Sequence, residues 1–432
     1  MMIRPTNHFQ LLLLLFFVIL PLTCLESCRY LSIPEKDDVA GEQIKTKGAN
    51  GLPVYNSAVI KGRIVPAGPD MDSTLVLAYR PADKKVEFTE YTATGANGNT
   101  FMLYLPQGRY QLFAVTDYNH NGIYENKEAS GLYGSGPQPA EITIREGELI
   151  TDVEIRTAKT HFPQVKLPSE WRLKKDEQVI RQTTCNGQVL KIYDEYFSLE
   201  NAQTGYWNPS SFMKAFGAHI YMTEAYNPRK IPVLFVHGTE GTPYNWIYFY
   251  MRLDRSRYQP WFFYYPSGIR LNLAADLLNE ALRELHEKYD FQKMAVVAHS
   301  VGGLTTRSFL NRHVSDLQNN FVRLFVSFAT PWSGFGLADA SRVLRHKSIP
   351  VWVDLGTQSE FIQTTMDTRL PATIRHYNFY GKQDRLCGDA AVDHRAVSGA
   401  ARSLGFDCTH DSILSDRKVF AQFNAVLEKE LW

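Results

Sequence analysis

The chain has 432 residues, with 46 Lys and Arg against 45 Asp and Glu, a formal net charge of +1. Near-balanced charge without a basic block gives no support for nucleic acid or an anionic surface as a partner. A hydrophobic content of 44% with 21% charged residues excludes a disordered chain and leaves room for two or three domains with real cores.

Arg4 precedes an apolar run, Leu11 to Leu20, that Pro21 closes. A positive start and so short a run describe an export signal, because a membrane-spanning helix needs about 20 residues. Leu25-Glu26-Ser27-Cys28 resembles a bacterial lipobox, although Glu26 is atypical there, and Cys24 lies at a better distance from the run. The expectation for residues 1–28 is therefore an export signal of lipoprotein type. A lipid on Cys28 or Cys24 would then tie the exported chain to a periplasmic or outer, cell-surface membrane face. Residues 29–55 have no apolar period and read as a tether.

From residue 56 to 158 the pattern changes to short alternating runs separated by Gly, Pro and Asn. They include Val59–Val65, Thr74–Tyr79, Thr100–Leu105, Tyr110–Thr116, Glu141–Ile144 and Asp152–Ile155, the signature of a separate all-β sandwich. The phrase Leu105-Pro106-Gln107-Gly108-Arg109-Tyr110-Gln111-Leu112 resembles the prealbumin-like accessory domains found beside exported enzymes, which implies a spacer or binding module. Within it, Asp117, Asn119, Asn121, Gly122 and Glu128 fit the spacing D-x-[DN]-x-[DN]-G-x5-E. Oxygen ligands at those positions suit calcium, with Glu125 as a further carboxylate. The alternative is an Asx-rich hairpin loop held by its own side-chain to backbone bonds.

Residues 159–216 read as a connecting segment with an extra strand at Val189–Phe197. Ala218–Tyr226 reads as another, just inside the last domain, 217–432. Pro232–Val236 is a buried strand ending in His237-Gly238, a helix starts near Pro243, and Trp261–Tyr265 is a strand. Leu273, Leu277, Ala281, Leu282 and Leu285 form a helical stripe. Strand and helix alternate onward through Val322–Ala329, which predicts a doubly wound, mostly parallel α/β sheet.

Met294 to Ala298 reads as a strand buried on both faces, interrupted by His299-Ser300 and followed by Val301-Gly302-Gly303 and a helical run. A serine on a strand-to-helix turn needs small neighbours two residues either side, and Ala298 and Gly302 stand there. A histidine must take its proton, a carboxylate must orient that histidine, and amides must receive the oxyanion. His410 is the late histidine on a loop before a closing amphipathic helix, with His394 its competitor. Asp384, Asp389 and Asp393 follow the late strand Tyr377–Gly381. His299, beside the serine, belongs to the turn and is expected to point away from the hydroxyl.

These segments resemble the α/β-hydrolase fold, lipase-like branch. His237-Gly238-Thr239-Glu240-Gly241 is similar to the H-G-x-x-G oxyanion segment of bacterial lipases, which implies the amides of Thr239 and Val301 as the hole. Ala329-Thr330-Pro331-Trp332-Ser333-Gly334 is similar to their T-P-x-x-G turn. Gly388-Asp389-Ala390-Ala391-Val392 resembles their D-G-x-V acid loop, so Asp389 is the first choice of acid and Asp384 the alternative. The resemblance implies a serine ester hydrolase acting on apolar or lipid-like esters, with no cofactor needed for catalysis, and residues 336–375 as a helical cap selecting the acyl chain. The same triad would serve an acyltransferase or amidase, and a third reading is a catalytically silent surface lipoprotein. Cys387 precedes Asp389 by two residues and Cys408 precedes His410 by two. If acid and base are hydrogen-bonded, their loops lie close enough for a Cys387–Cys408 disulfide. Cys185 is left over or pairs with an amino-terminal cysteine.

Overall fold

The computed structural model describes residues 57–66, 74–82, 85–94, 99–158, 171–172, 186–313, 321–339, 349–392 and 399–432. The export signal with Cys24 and Cys28, the tether, Cys185, Asp393 and His394 lie outside the described residues. Among the described residues, no helix is long and apolar enough to cross a membrane.

The first half forms β1 (Ser57–Val65), β2 (Thr74–Ala82), β3 (Lys85–Ala93), β4 (Thr100–Pro106), β5 (Gly108–Thr116), β6 (Ile123–Tyr124), β7 (Ala129–Tyr133), β8 (Glu141–Ile144) and β9 (Leu149–Thr157). Seven of these run in the order β3-β2-β5-β7-β9-β1-β4, with β8 added on β5. The pairings are antiparallel except β1 with β9. Inward residues from distant strands, among them Ile60, Val76, Leu103, Leu112, Ile144 and Ile155, meet in one core, so the sheet folds over on itself. The Tyr110 hydroxyl donates to the Pro106 carbonyl at 2.7 Å and accepts from Arg80 at 2.8 Å, which pins the β4–β5 corner. Strands β3 and β7 were not foreseen; Gly131 and Ser130 dilute the hydrophobic signal of β7, and Lys85, Glu87 and Glu90 that of β3.

The second sheet contains β11 (Gln188–Val189), β12 (His219–Met222), β13 (Ile231–Val236), β14 (Tyr258–Tyr264), β15 (Met294–His299), β16 (Val322–Phe328), β17 (Arg375–Gly381) and β18 (Arg402–Phe406). A short β10 (Trp171–Arg172) pairs with β6 instead. The order is β11-β12-β14-β13-β15-β16-β17-β18, parallel throughout apart from the antiparallel β12–β14 pair. Every residue of β13 and β15 is buried, as expected of parallel strands covered on both faces. Of the strand expected at Val189–Phe197 only Val189 pairs, as part of the two-residue β11. Asp194 then accepts from the Tyr196 amide and starts a 3-10 turn, a local bond that competes with the ladder.

Helices α1 (Leu199–Trp207), α2 (Pro209–Phe216), α3 (Ile247–Arg252), α4 (Leu271–Tyr289), α5 (Val301–His313), α6 (Gly336–Asp339), α7 (Pro350–Leu355), α8 (Glu360–Asp367) and α9 (Arg417–Leu431) complete the described fold. Ser198 and Asn208 cap α1 and α2, with Pro209 at the first helical position. Helix α4 buries Leu273, Leu277, Ala281, Leu282 and Leu285 on one sheet face and ends at Asp290 in the left-handed region. Helix α9 buries Val419, Phe423 and Leu427 on the other face, and Asp416 caps it by accepting from two amides.

The two sheets are not set apart. Val59 and Tyr104 of the first belong to the same buried cluster as the α4 stripe. Lys61 of β1 pairs with Glu280 and Glu284 of α4. Arg270, just before α4, pairs with Glu146 of the β8–β9 turn and with Asp354 of α7.

Candidate active site

The turn from β15 to α5 holds Ser300 at a φ of 53°, where a side chain with a Cβ is strained. The Ser300 amide still donates to the Phe328 carbonyl at 2.9 Å, so the sheet ladder runs up to Ser300 before the chain reverses. Close approach explains the small residues. A Cβ on Gly302 would lie 2.3 Å from the His237 carbonyl oxygen, and one on Gly238 would lie 2.8 Å from the Ser300 Cβ. Ala298, in place of the usual glycine, is fully buried without disturbing the pairing of β15 with β13 and β16.

His410 stands on the loop between β18 and α9. Its Nδ1 and Asp384 Oδ2 are 2.9 Å apart and both residues are buried. Asp384 also accepts from the amides of Leu386 and Cys387, each at 2.9 Å. Burial works against its ionised form, but the bond and charge of His410 and those two amides outweigh it and hold the carboxyl below its ordinary value. The His299 ring lies 4.7 Å from the His410 ring, and its Nε2 donates to the His410 carbonyl at 3.0 Å. Burial first, then the charge of His410, pushes His299 down to about 3, so it is neutral. His299 therefore fixes the backbone of its neighbour.

The first-choice acid needs correction. Asp389 is exposed in a 3-10 turn, Gly388–Val392, and it is Asp384 that meets His410. The backbone of that turn is held inward, Trp332 donating to the Ala390 carbonyl at 2.9 Å and Asn378 Nδ2 to that of Ala391, also at 2.9 Å. The Asp389 side chain is left facing solvent. The expected disulfide is also corrected. Cys387 and Cys408 are free thiols packed in the clusters on opposite faces of the second sheet. The Cys387 sulfur turns to the Ala329 carbonyl at 3.2 Å and to His410 Nδ1 at 3.5 Å.

The loop after β13 brings Gly238 against the serine turn, with Thr239 the next residue along. Val301 opens α5, so its amide has no carbonyl to meet within the helix. Sequence reasoning missed how this loop is held. His237 Nδ1 donates to the Gly238 carbonyl at 2.8 Å, and its ring stacks on Tyr265 at 4.5 Å. Tyr265 in turn donates its hydroxyl to the His237 carbonyl at 3.0 Å. Burial pushes His237 down to about 4, keeping it neutral. Glu240 follows at a φ of 48°, its amide donating to Ser267 Oγ and its carboxylate accepting from Trp207 of α1 at 2.8 Å. Helix α7 packs against α1 and the segment before α4: Trp352 donates to the Tyr206 hydroxyl at 2.8 Å, and Val351 to the Gly268 carbonyl at 3.0 Å.

In the first sheet, Asp117 accepts from the amides of Asn121 and Gly122 at 3.2 and 2.8 Å, and Asn121 accepts from Ile123 at 2.7 Å. Burial, and then the charges of Asp117 and Glu125, raises Glu128 from its ordinary value against the pull of two amides.

A family model described as an alpha/beta hydrolase of unknown function matches residues 270–404. No curated protein matches the chain in sequence. Among solved structures, a lipase of Bacillus licheniformis in mature form is 19% identical over 47% of this chain and 94% of its own, with a TM-score of 0.36. Lipase B of Aspergillus fumigatus is 20% identical over 49% and 56%, with a TM-score of 0.40. An esterase of Pyrococcus furiosus is 12% identical over 47% and 82%, with a TM-score of 0.36. The sheet order, the serine turn after its central strand and the family match together identify the second half of the chain as an α/β-hydrolase fold.

Proposed function

We propose that the chain is a serine hydrolase that cleaves carboxylic esters of apolar or lipid-like substrates through an acyl-Ser300 intermediate. The observation that carries this is the buried 2.9 Å contact between His410 and Asp384, together with a serine on a left-handed turn whose preceding residue, His299, lies against His410. Asp384 accepts the Nδ1 proton, so Nε2 is the basic nitrogen. Nε2 takes the Ser300 proton as Oγ adds to the ester carbonyl, and the amides of Thr239 and Val301 receive the oxyanion. Collapse expels the alcohol, which takes the proton back from Nε2, and water then repeats the sequence to free the acid. Trp207, bonded to Glu240 of the loop after β13, and the exposed Tyr244 that follows that loop favour an apolar substrate, and α6 to α8 are assigned as the cap that selects it. Export, with a lipid on Cys28 or Cys24 holding the enzyme at a periplasmic or outer-membrane surface, and a prealbumin-like accessory role for the first sheet complete the proposal.

A fluorophosphonate probe tests it. The wild-type chain is expected to be labelled at Ser300, and S300A to be folded, unlabelled and inactive on p-nitrophenyl esters of short to long chain. An unlabelled wild type would favour a surface-binding protein, and full turnover by S300A would remove Ser300 as nucleophile. A labelled enzyme that spares esters and consumes an amide or a second acyl acceptor would redirect the same triad to those reactions.

A further inference from the structure

We infer that the loop from Asp117 to Glu128 is a calcium site of the first sheet, completed by the carboxylate of Glu128. The observation that points to an ion is an orphan. Glu128 is 5% exposed, its Oε2 accepts from the Glu125 amide at 3.0 Å, and its Oε1 is buried with no partner. A buried carboxylate oxygen left without a donor keeps the full cost of its lost hydration, so such groups are rare unless something else meets them. This one faces the loop: the charges that act on it are those of Asp117 and Glu125, and the Asn119 amide leans towards it.

The remaining ligands fall at the positions a calcium loop uses. Asp117, Asn119 and Asn121 stand first, third and fifth, Ile123 offers its carbonyl seventh, Glu125 stands ninth and Glu128 twelfth. Gly122, at the sixth position, has a φ of 73°, the sharp turn such a loop needs. Asp117 is buried at the base of the loop, and its two oxygens already draw in the Asn121 and Gly122 amides. Lys127 holds Glu125 at 2.8 Å. That pair can persist with the ion present, because the ninth ligand commonly acts through a water. Six oxygen donors of mixed type in an adaptable loop suit calcium over magnesium, which demands a small octahedral shell. No helices flank this loop. It follows β5 directly, and its seventh and eighth residues, Ile123 and Tyr124, form the strand that pairs with Trp171–Arg172. The ion would thus fix the point where the chain leaving the first sheet is tied back to it.

The full chain, stripped with chelator, is titrated with terbium while Tyr118 and Tyr124 are excited, and its melting is followed in calcium and in magnesium. The expected result is one saturable terbium site displaced by calcium, with a calcium dissociation constant of about 10⁻⁴ to 10⁻³ M, and a calcium-specific rise in Tm of about 2 °C at 10 mM. Glu128→Gln is expected to lose both while melting no lower than the stripped wild type, since it removes an unmet buried charge. Asn119→Ala, at an exposed position, is expected to fold normally and bind calcium about tenfold more weakly. Absence of a saturable site in the wild type, or full binding by both variants, would overturn the assignment. Ester hydrolysis is not a readout, so this result and the fate of the triad are independent.

Discussion

Replacing Asp384 by Asn tests the assignment of the orienting acid. The side chain accepts three hydrogen bonds, from His410 and from the amides of Leu386 and Cys387. Asn keeps the same shape, and its oxygen can still serve the two amides. Its NH2 group then faces His410 Nδ1 and stabilises the tautomer that carries the proton on Nε2, the nitrogen that must be free to receive the Ser300 proton. A wrong tautomer in a Ser-His-acid site costs about 10³–10⁴ in kcat, equivalent to about 4–5.5 kcal/mol of transition-state stabilisation. The assay is hydrolysis of p-nitrophenyl butyrate under saturating conditions, with circular dichroism to establish the fold. Asp389→Asn, at an exposed position, is expected to stay within about twofold of the wild type. Retention of more than about a tenth of kcat by D384N, or an equal loss in D389N, would refute the acid assignment.

Two further outcomes follow from the buried histidines and cysteines. Burial pushes His219, His237, His299 and His376 down to about 3, 4, 3 and 3. Unfolding returns each to about 6.5, so below that pH the unfolded chain binds more protons and stability falls on acidification. Each ring contributes up to about 1.4 kcal/mol per pH unit between about pH 6 and 4. Urea midpoints are therefore expected to fall steeply across that window, and a flat profile would mean that these rings protonate within the fold. Alkylation of the denatured, unreduced protein is expected to modify both Cys387 and Cys408, and a recovered Cys387–Cys408 cross-linked peptide would contradict the packing described above.

Much of the second half was legible because its signals are local. The continuous apolar runs of β13 and β15, the α4 stripe and the small residues around Ser300 each report their own burial. Asp389 misled because an acid-loop likeness rests on neighbouring residues, whereas the bond to His410 depends on how far past β17 the chain has turned. Asp384, three residues beyond the end of that strand, carried the better signal in its position. The cysteine pair failed for a related reason: proximity of two loops in sequence logic says nothing about which side of a sheet each sulfur enters. The supports of the site, His299 on the His410 carbonyl and Tyr265 on His237, join segments 28 to 111 residues apart and have no motif to announce them.

Lys61 and Arg270 carry a consequence for anyone wishing to work with the hydrolase half alone. Trimming the chain back to residue 186 would strand Glu280 and Glu284 without their lysine and take Glu146 from Arg270, while uncovering the apolar flank now sheltered by Val59 and Tyr104. Because Arg270 also grips Asp354, the injury would extend from the severed edge into α7.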